Sequence, residues 1–405
     1  MGNESNSTRI CIVGGGPAGV IAAYLFALRG VSVVLLEGRK DFDRDFRGDT
    51  LHASSLEILQ QLGMADEVLQ QASSQVRKLS IAFGQTEINI ADFYAMDSEF
   101  PFVAIIPQAV FLKLVVDKAR DLPEFTVHMG AQVRELLQAD GKITGVKYTL
   151  GDEDRSLSAD LVIGADGRGS TVRQLAGLEL GKTSPPMDVI WFRLPLSGNS
   201  KIQDVNGRIG SGHMIVIIGR KDHLQVGVVI MKGSYKALRS EGIESFHNMV
   251  TQLAPELRET ITEIKKWSQM AILPVVTGRV EHWYREGLLL IGDAAHVMSP
   301  VGGVGINYAI QDAVAAVNLL AKALQNGKTD TEMLAAVQSR REPAVATVQR
   351  FQSLVQQRVI KAALSSRQTL HPPLPLRLIS RIPYARKRIA RFLAYGTRHE
   401  RVKGL

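Results

Sequence analysis

The sequence predicts an α/β fold. It comprises a discontinuous Rossmann-like dinucleotide-binding domain, a sheet-based domain inserted into it, and a basic helical tail. Three observations predict this. A strand, glycine turn, helix and second strand open the chain. Two later apolar strands, Leu161–Ile163 and Leu288–Ile291, run into small-residue turns that each carry one aspartate. Between residues 175 and 285 the pattern changes to alternating, strand-like runs.

The elements follow in order. Arg9–Val13 is a short apolar strand, Gly14–Gly19 a turn, and Ala18–Arg29 has helical apolar spacing that Gly30 stops. Val31–Glu37 is nearly all apolar, as a buried parallel strand is. Ala53–Leu62 reads as a helix, Lys78–Phe93 as strands, and Gln108–Asp121 as a helix with one apolar face. Phe125–Leu137 and Ile143–Leu150 read as strands around the turn Asp140-Gly141. Val189–Leu196, His213–Ile218 and Leu224–Met231 are strand-like, Ile243–Lys265 is helical, and Val304–Leu324 is a long helix. The expected division assigns 1–75, 107–175 and 286–350 to dinucleotide binding. It assigns 76–106 and 176–285 to a substrate domain and 351–405 to the tail.

The bulk numbers bound the reading. A chain of 405 residues buries a large core and has room for two packed domains. At 45% hydrophobic and 22% charged it has ordinary globular composition. The lone cysteine, Cys11, lies inside a strand and has no partner for an internal disulfide. No apolar run is expected to cross a bilayer, and Met1–Thr8 is polar. The expectation is therefore a cytoplasmic protein, or one attached to a cytoplasmic membrane face. Arg358–Leu405 holds twelve Lys/Arg and one acid, a net of +11, whereas the residues before it sum to −3. The body has no basic stripe with interleaved aromatics, so nucleic acid is not an expected partner. No metal site is expected.

Three motifs carry the chemistry. The first is Gly14-Gly15-Gly16-Pro17-Ala18-Gly19. Gly14 permits the tight turn, Gly16 lets backbone approach a pyrophosphate, and Gly19 lets the helix pack on the strand. The helix N-terminus offers N–H groups and a favourable dipole to phosphate. Glu37 lies 23 residues after Gly14 and is placed to accept both ribose hydroxyls, which disfavours a 2′-phosphate there. The second motif runs from Asp160 through Gly164-Ala165-Asp166-Gly167, with Ser170 and Arg173 after it. Taken alone it reads as a turn that Asp166 caps. The third is Gly287 through Ile291-Gly292-Asp293-Ala294-Ala295-His296, then Ser299-Pro300 and Gly302-Gly303-Val304-Gly305-Ile306-Asn307. Asp293 is expected to accept from ribityl hydroxyls. Backbone N–H groups around Gly305–Asn307 are expected to face a flavin's pyrimidine edge and favour negative charge there.

In this order the three motifs resemble the p-hydroxybenzoate hydroxylase-like, single-component (group A) FAD-dependent monooxygenases, over roughly residues 8–350. The resemblance implies a GR2-type FAD-binding domain with FAD as cofactor and NADH or NADPH as transient reductant. It also implies O2 as co-substrate and oxygen transfer through a flavin hydroperoxide to an aromatic or apolar small molecule, by hydroxylation or epoxidation. It assigns the ADP part of FAD to the first motif, including Gly38 and Arg39 beside Glu37, contacts to FAD and the transient nicotinamide to the second, with Ala165 and Asp166 as cofactor-binding, and the ribityl chain and flavin ring to the third. Arg47, Gln108 and Val133 match the family's contacts to the ribityl–pyrophosphate, the FAD and the adenine. The family has no universal catalytic side chain, so none is transferred. His52 and His296 are read as structural. Trp191, Phe192, Arg193, His213 and Met214 are expected to line a substrate wall.

Other readings stay open. One is a flavoprotein reductase or dehydrogenase acting on a prenyl or polyene substrate. Another is a non-catalytic, membrane-recruited flavin-binding module. The Trp-x-Trp-x-Ile-Pro motif of flavin halogenases is absent. After Pro372, Pro373 and Pro375, the residues Ile382, Ala385, Ile389, Phe392 and Leu393 recur at helical spacing among basic residues. Residues 370–405 therefore form either a helix lying on an anionic membrane beside a lipid-like substrate, or a helix docked on the body. A monomer and a dimer are both compatible with the sequence.

Overall fold

The computed structural model describes residues 7–43, 49–84, 86–196, 205–210, 212–366 and 371–404. Its central sheet is built around Ser7–Val13, which pairs in parallel with Val33–Glu37 on one side and with Glu153–Gly164 on the other. Phe125–Met129 extends the sheet beyond Val33–Glu37, and Leu288–Leu290 extends it beyond Glu153–Gly164. Ile10, Cys11 and Ile12 are fully buried because both faces of the sheet are covered. Helices Pro17–Leu28, Gln108–Ala119 and Gly305–Gln325 pack on one face. The antiparallel strands Ala131–Ala139 and Lys142–Leu150 lie against the other. The strand around Leu161 starts earlier than its apolar core suggests. Its first half alternates between exposed and buried and pairs antiparallel with Lys142–Leu150.

The second large sheet has seven strands, in the order Ala271–Pro274, Met187–Pro195, His223–Met231, His213–Gly219, Val205–Gly210, Lys78–Phe83, Thr86–Asp92. One face packs on helix Ile243–Leu253 through Phe192, Ile215, Ile217, Val226, Phe246 and Val250. The other face is turned to the first domain. The expected helical run Ile243–Lys265 is corrected. The helix ends at Leu253, and Pro255, which cannot continue it, opens short 3₁₀ turns at Pro255–Leu257 and Ile261–Glu263.

One expectation about membranes changes. Val301–Gln325 is long and apolar enough to span a bilayer by length and composition, contrary to the expectation that no segment reaches that measure. Within the fold, 78% of its apolar window is buried, so it serves as the central core helix. In the tail, helix Pro383–Tyr395 docks on the body. Leu393 and Ala394 join the main core, Phe392 packs edge-on against Phe351, and Tyr395 Oη donates to Ser98 Oγ at 2.7 Å. The preceding helix, Leu374–Arg381, buries no residue.

One buried charge cluster ties these parts together. Asp312, on the core helix, is wholly buried and accepts from Arg341 Nε at 2.9 Å, His296 Nε2 at 2.6 Å and the backbone N of Gly292 at 3.1 Å. Arg341 also donates to the carbonyl of Arg398, and Arg340 holds Glu400 through two bonds, at 2.8 and 3.1 Å. His296 is thus structural, as read from the sequence. Burial alone would raise the Asp312 carboxyl, but His296 and Arg341 outweigh it and hold it below the usual carboxylate range.

Asp312→Asn leaves Arg341 buried without its counter-charge. The expected cost is about 3–5 kcal/mol, read as a lowered midpoint of chemical denaturation. Because the folded-state pKa is depressed, the carboxylate's contribution is fully present above the unfolded value of about 4. It is lost as pH falls through the folded value. The stability gap between wild type and variant is therefore expected to narrow on acidification below about pH 4.

Candidate functional site

A continuous cavity of about 1570 Å³ runs from the N-terminal glycine turn, past the third motif, to the inward face of the seven-stranded sheet. That exceeds the roughly 300–1,000 Å³ of ordinary small-molecule pockets, which leaves room for a dinucleotide and a second ligand together.

The glycine turn shapes one end. Gly14 has φ +107°, and a Cβ there would sit 2.6 Å from the backbone of Ala165 and Asp166. A Cβ on Gly19 would sit 1.9 Å from the Gly14 carbonyl oxygen. The turn is therefore closed to side chains at both positions. Gly16 precedes helix Pro17–Leu28 with no side-chain cap and no acid in the first turn. Its leading N–H groups belong to the cavity end lined by Gly16, Pro17 and Ala18. Glu37, only 5% exposed, faces the same space. Gly15 N donates to its Oε2 at 2.7 Å and Arg39 N donates to its Oε1 at 2.9 Å. A carboxylate offers about four acceptor positions, and these two bonds orient the group. Gly38, Arg39 and Val133 complete this end.

The middle of the cavity draws on all three motifs. Ala165, Asp166, Asp293, Pro300 and Gly303 line it, as does Gln108 from the start of its helix. Asp166 is also the local cap that its turn suggests. Its oxygens accept from Ser170 Oγ at 2.5 Å and Val172 N at 3.0 Å, and burial raises its carboxyl. Arg173 Nη1 donates to the Ala294 carbonyl at 3.0 Å, joining the second motif to the third. Helix Gly305–Gln325 opens on the cavity at Gly305 and Ile306, again with no side-chain cap and no acid in its first turn. Two uncapped helix N-termini and a fixed carboxylate are a donor and acceptor set that fits FAD.

Some expected residues lie elsewhere. Gly15, Gly19, Gly292 and Ala294 are buried behind the lining. The Asn307 side chain points away from the cavity wall. Its Oδ1 accepts from His52 N at 2.8 Å and Ser55 Oγ at 2.7 Å, and its Nδ2 donates to the Thr50 carbonyl, so it braces two segments. Arg47 falls outside the described residues. His52 does line the cavity, and burial pushes its imidazole down to about 4, which keeps the ring neutral at ordinary pH.

At the far end, Trp191 and Met214 lie on the wall, with Val189, Val216, Ile218 and Val229. Phe192 and His213 are corrected, because strand side chains alternate and these two point to the opposite face. Arg193 shares the phase of Trp191 but lies beyond the wall, where it is exposed. Sequence reasoning missed three polar groups here. Arg220 Nη2 donates to Asp49 Oδ2 at 2.5 Å and to Gln225 Oε1, and all three residues line the cavity. Burial pulls the Arg220 guanidinium down and pushes the Asp49 carboxyl up, each opposed by the other's charge. Gly227, a glycine in mid-strand, signalled only the close approach of the Trp191 ring, which a Cβ there would meet at 2.7 Å, and nothing local signalled the three polar groups.

Residues 7–352 match the family described as FAD binding domain. The 6-methylpretetramide 4-monooxygenase of Streptomyces rimosus is 31% identical over 399 residues, covering 98% of this chain and 94% of that one. Pentachlorophenol 4-monooxygenase of Sphingobium chlorophenolicum is 25% identical over 331 residues. That match covers 76% of this chain and 57% of that protein, so the chain spans little more than half of this relative's length. The solved structure of P. aeruginosa PqsL in complex with 2-aminobenzoylacetate shares the fold, with a TM-score of 0.77 at 19% identity, covering 89% of this chain and 97% of that one. The chain belongs to the FAD binding domain family and is an FAD-dependent oxidoreductase of the aromatic monooxygenase type.

Proposed function

We propose that the chain uses NADH or NADPH and O2 to hydroxylate an aromatic small molecule held against the inward face of the seven-stranded sheet. One observation carries this reading. A single cavity has an oriented carboxylate and an uncapped helix N-terminus at one end and a largely apolar sheet face at the other. The flavin, when bound, supplies the redox chemistry, passing electrons from the nicotinamide to O2 so that one oxygen atom reaches the substrate and the other leaves as water.

The chain's own part is binding, orientation and exclusion of water. Glu37 accepts the adenosine ribose hydroxyls, and the start of helix Pro17–Leu28 meets the pyrophosphate. Asp293 accepts from the ribityl chain. The N-terminus of helix Gly305–Gln325 places positive potential where negative charge develops on the ring system. Val189, Val216, Ile218 and Val229 keep water from the reacting face.

The decisive assay is oxidation of NADH and NADPH by the purified flavoprotein, with oxygen uptake recorded alongside. Oxygen uptake stimulated by an aromatic substrate, with one hydroxyl gained per nicotinamide consumed, is the expected result. Turnover that persists without oxygen when an alkene acceptor is supplied would replace this reading with that of a reductase. Failure of both nicotinamides to reduce the flavin would leave a binding module. Separately, Glu37→Gln keeps the side chain's shape and removes its charge. FAD affinity is expected to fall about ten- to a hundredfold, measured by flavin fluorescence on reconstitution of the apoprotein.

A further inference from the structure

The two tail helices, Leu374–Arg381 and Pro383–Tyr395, carry a face that the fold leaves uncovered. They pack against each other and against strand Thr86–Asp92. Leu376 and Ile379 of the first helix turn inward to the cavity, as do Ile389 and Leu393 of the second. The outer side of the first helix is apolar as well. Leu374 and Leu378 stand one turn apart and Ile382 follows one turn on, and they are 73%, 59% and 48% exposed. Tyr384, 66% exposed, comes at the start of the second helix. A helix with apolar side chains on two sides calls for two apolar neighbours. The cavity wall is one, and among the described residues nothing covers the other.

Cations frame this stripe. Residues 371–395 hold six Arg or Lys and no Asp or Glu. At about 3.6 residues per turn, Arg377 and Arg381 fall along the flank of Leu374 and Leu378, away from Leu376 and Ile379. On the second helix Lys387, Arg388 and Arg391 share the side of Tyr384. The Arg388 guanidinium lies over the Tyr384 ring, 5.8 Å from its centroid. Arg377, Arg381, Arg388 and Arg391 are exposed, and none of them is ion-paired among the described residues. A block of one charge sign repels itself, and large apolar side chains left in water add a second cost. One kind of surface relieves both: a layer with anionic groups at its face and hydrocarbon beneath.

We propose that this corner docks on an anionic lipid membrane. Leu374, Leu378 and Ile382 enter the boundary of the hydrocarbon, and Tyr384 sits at headgroup level, where amphipathic rings are favoured. Arg377, Arg381, Arg388 and Arg391 meet the lipid phosphates, their stems lying along the apolar stripe. The attachment is peripheral. The first helix lies on the surface, and its inner side stays on the cavity. Leu354, Pro373 and Pro375 are exposed and also line the cavity, so they mark a mouth at the start of that helix. Docking therefore brings the lipid surface to a mouth of the cavity. The inference goes beyond the reaction assigned above and does not rest on it.

The test is co-sedimentation of the full-length, flavin-loaded protein with two kinds of vesicle, phosphatidylcholine alone and an equimolar mixture with phosphatidylglycerol. Wild type is expected to favour the anionic vesicles about a hundredfold or more, since each cation near such a surface contributes about fivefold. Salt at about 1 M, where the Debye length is about 3 Å, is expected to remove most of that preference. Arg377→Gln combined with Arg381→Gln is expected to lower binding about twenty-fivefold, and Leu374→Ser combined with Leu378→Ser about tenfold or more. None of these four residues lines the cavity, and bound-flavin absorbance confirms that each variant is folded. Leu378→Trp reports depth: lipids brominated in their acyl chains are expected to quench the fluorescence it adds. Equal binding to both kinds of vesicle, undiminished binding by both double variants, or no quenching of vesicle-bound Leu378→Trp overturns the proposal. So does a concentration-dependent dimer that the two serine substitutions abolish, which would make the face a contact between two copies of the chain. No turnover is involved, so these outcomes are separate from that of the oxygen-uptake assay.

Discussion

The architecture depends on a single buried carboxylate. Asp312 receives a bond from the glycine that turns the third motif, one from the histidine that follows it, and one from an arginine on the next long helix. That arginine in turn reaches the carbonyl of Arg398 near the chain's end. A charge at this depth is tolerated only when all its bonds are made, so the four segments are held in one arrangement or not at all. The cofactor end inherits its precision from this cluster. Helix Gly305–Gln325, whose first residues open on the cavity, carries Asp312 two turns further along.

Two uncapped helix ends face one cavity, and the reason is chemical. A helix N-terminus without a capping side chain leaves N–H groups in need of acceptors. Where such an end is exposed to bulk water, hydration suffices. Where it lines an enclosed space, the acceptor has to come from what occupies that space. The carboxylate of Glu37 is handled in the opposite way: two backbone donors fix its direction. Together these features fit a ligand with a polyol, a pyrophosphate and carbonyl oxygens along its length, which is the chemistry of FAD.

The sequence made legible whatever is local. The glycine turn, its helix and Glu37 lie within thirty residues, so spacing alone reveals them. The strands of the inserted sheet were also readable from alternation, but which face each residue takes was not. Assigning Trp191 and His213 to the same wall requires the relative phase of two strands, and a slip of one residue reverses it. Phe192 shows the same limit within a single strand. The Asp312 cluster was hidden for a different reason: its members are scattered between Gly292 and Glu400, and each by itself reads as an ordinary charged or glycine residue. Arg220 follows an apolar strand and drew no assignment, because nothing local says that Asp49 and Gln225 close over it.

The interrupted parallel sheet also sets an order of events during synthesis. The glycine turn leaves the ribosome well before Glu153–Gly164, yet the strand that leads into the turn, Ser7–Val13, is flanked by Glu153–Gly164, and that strand pairs with Leu288–Leu290. Helix Pro17–Leu28 packs against a core helix made later still, and Leu393 contributes to the cavity wall. A nascent chain therefore displays its glycine turn long before it owns a compartment for a dinucleotide. Such non-local pairings are slow to form, and a ligand that binds only the finished state stabilises it in proportion to its free concentration. Cellular flavin supply thus acts on this chain as a late folding partner as well as a cofactor.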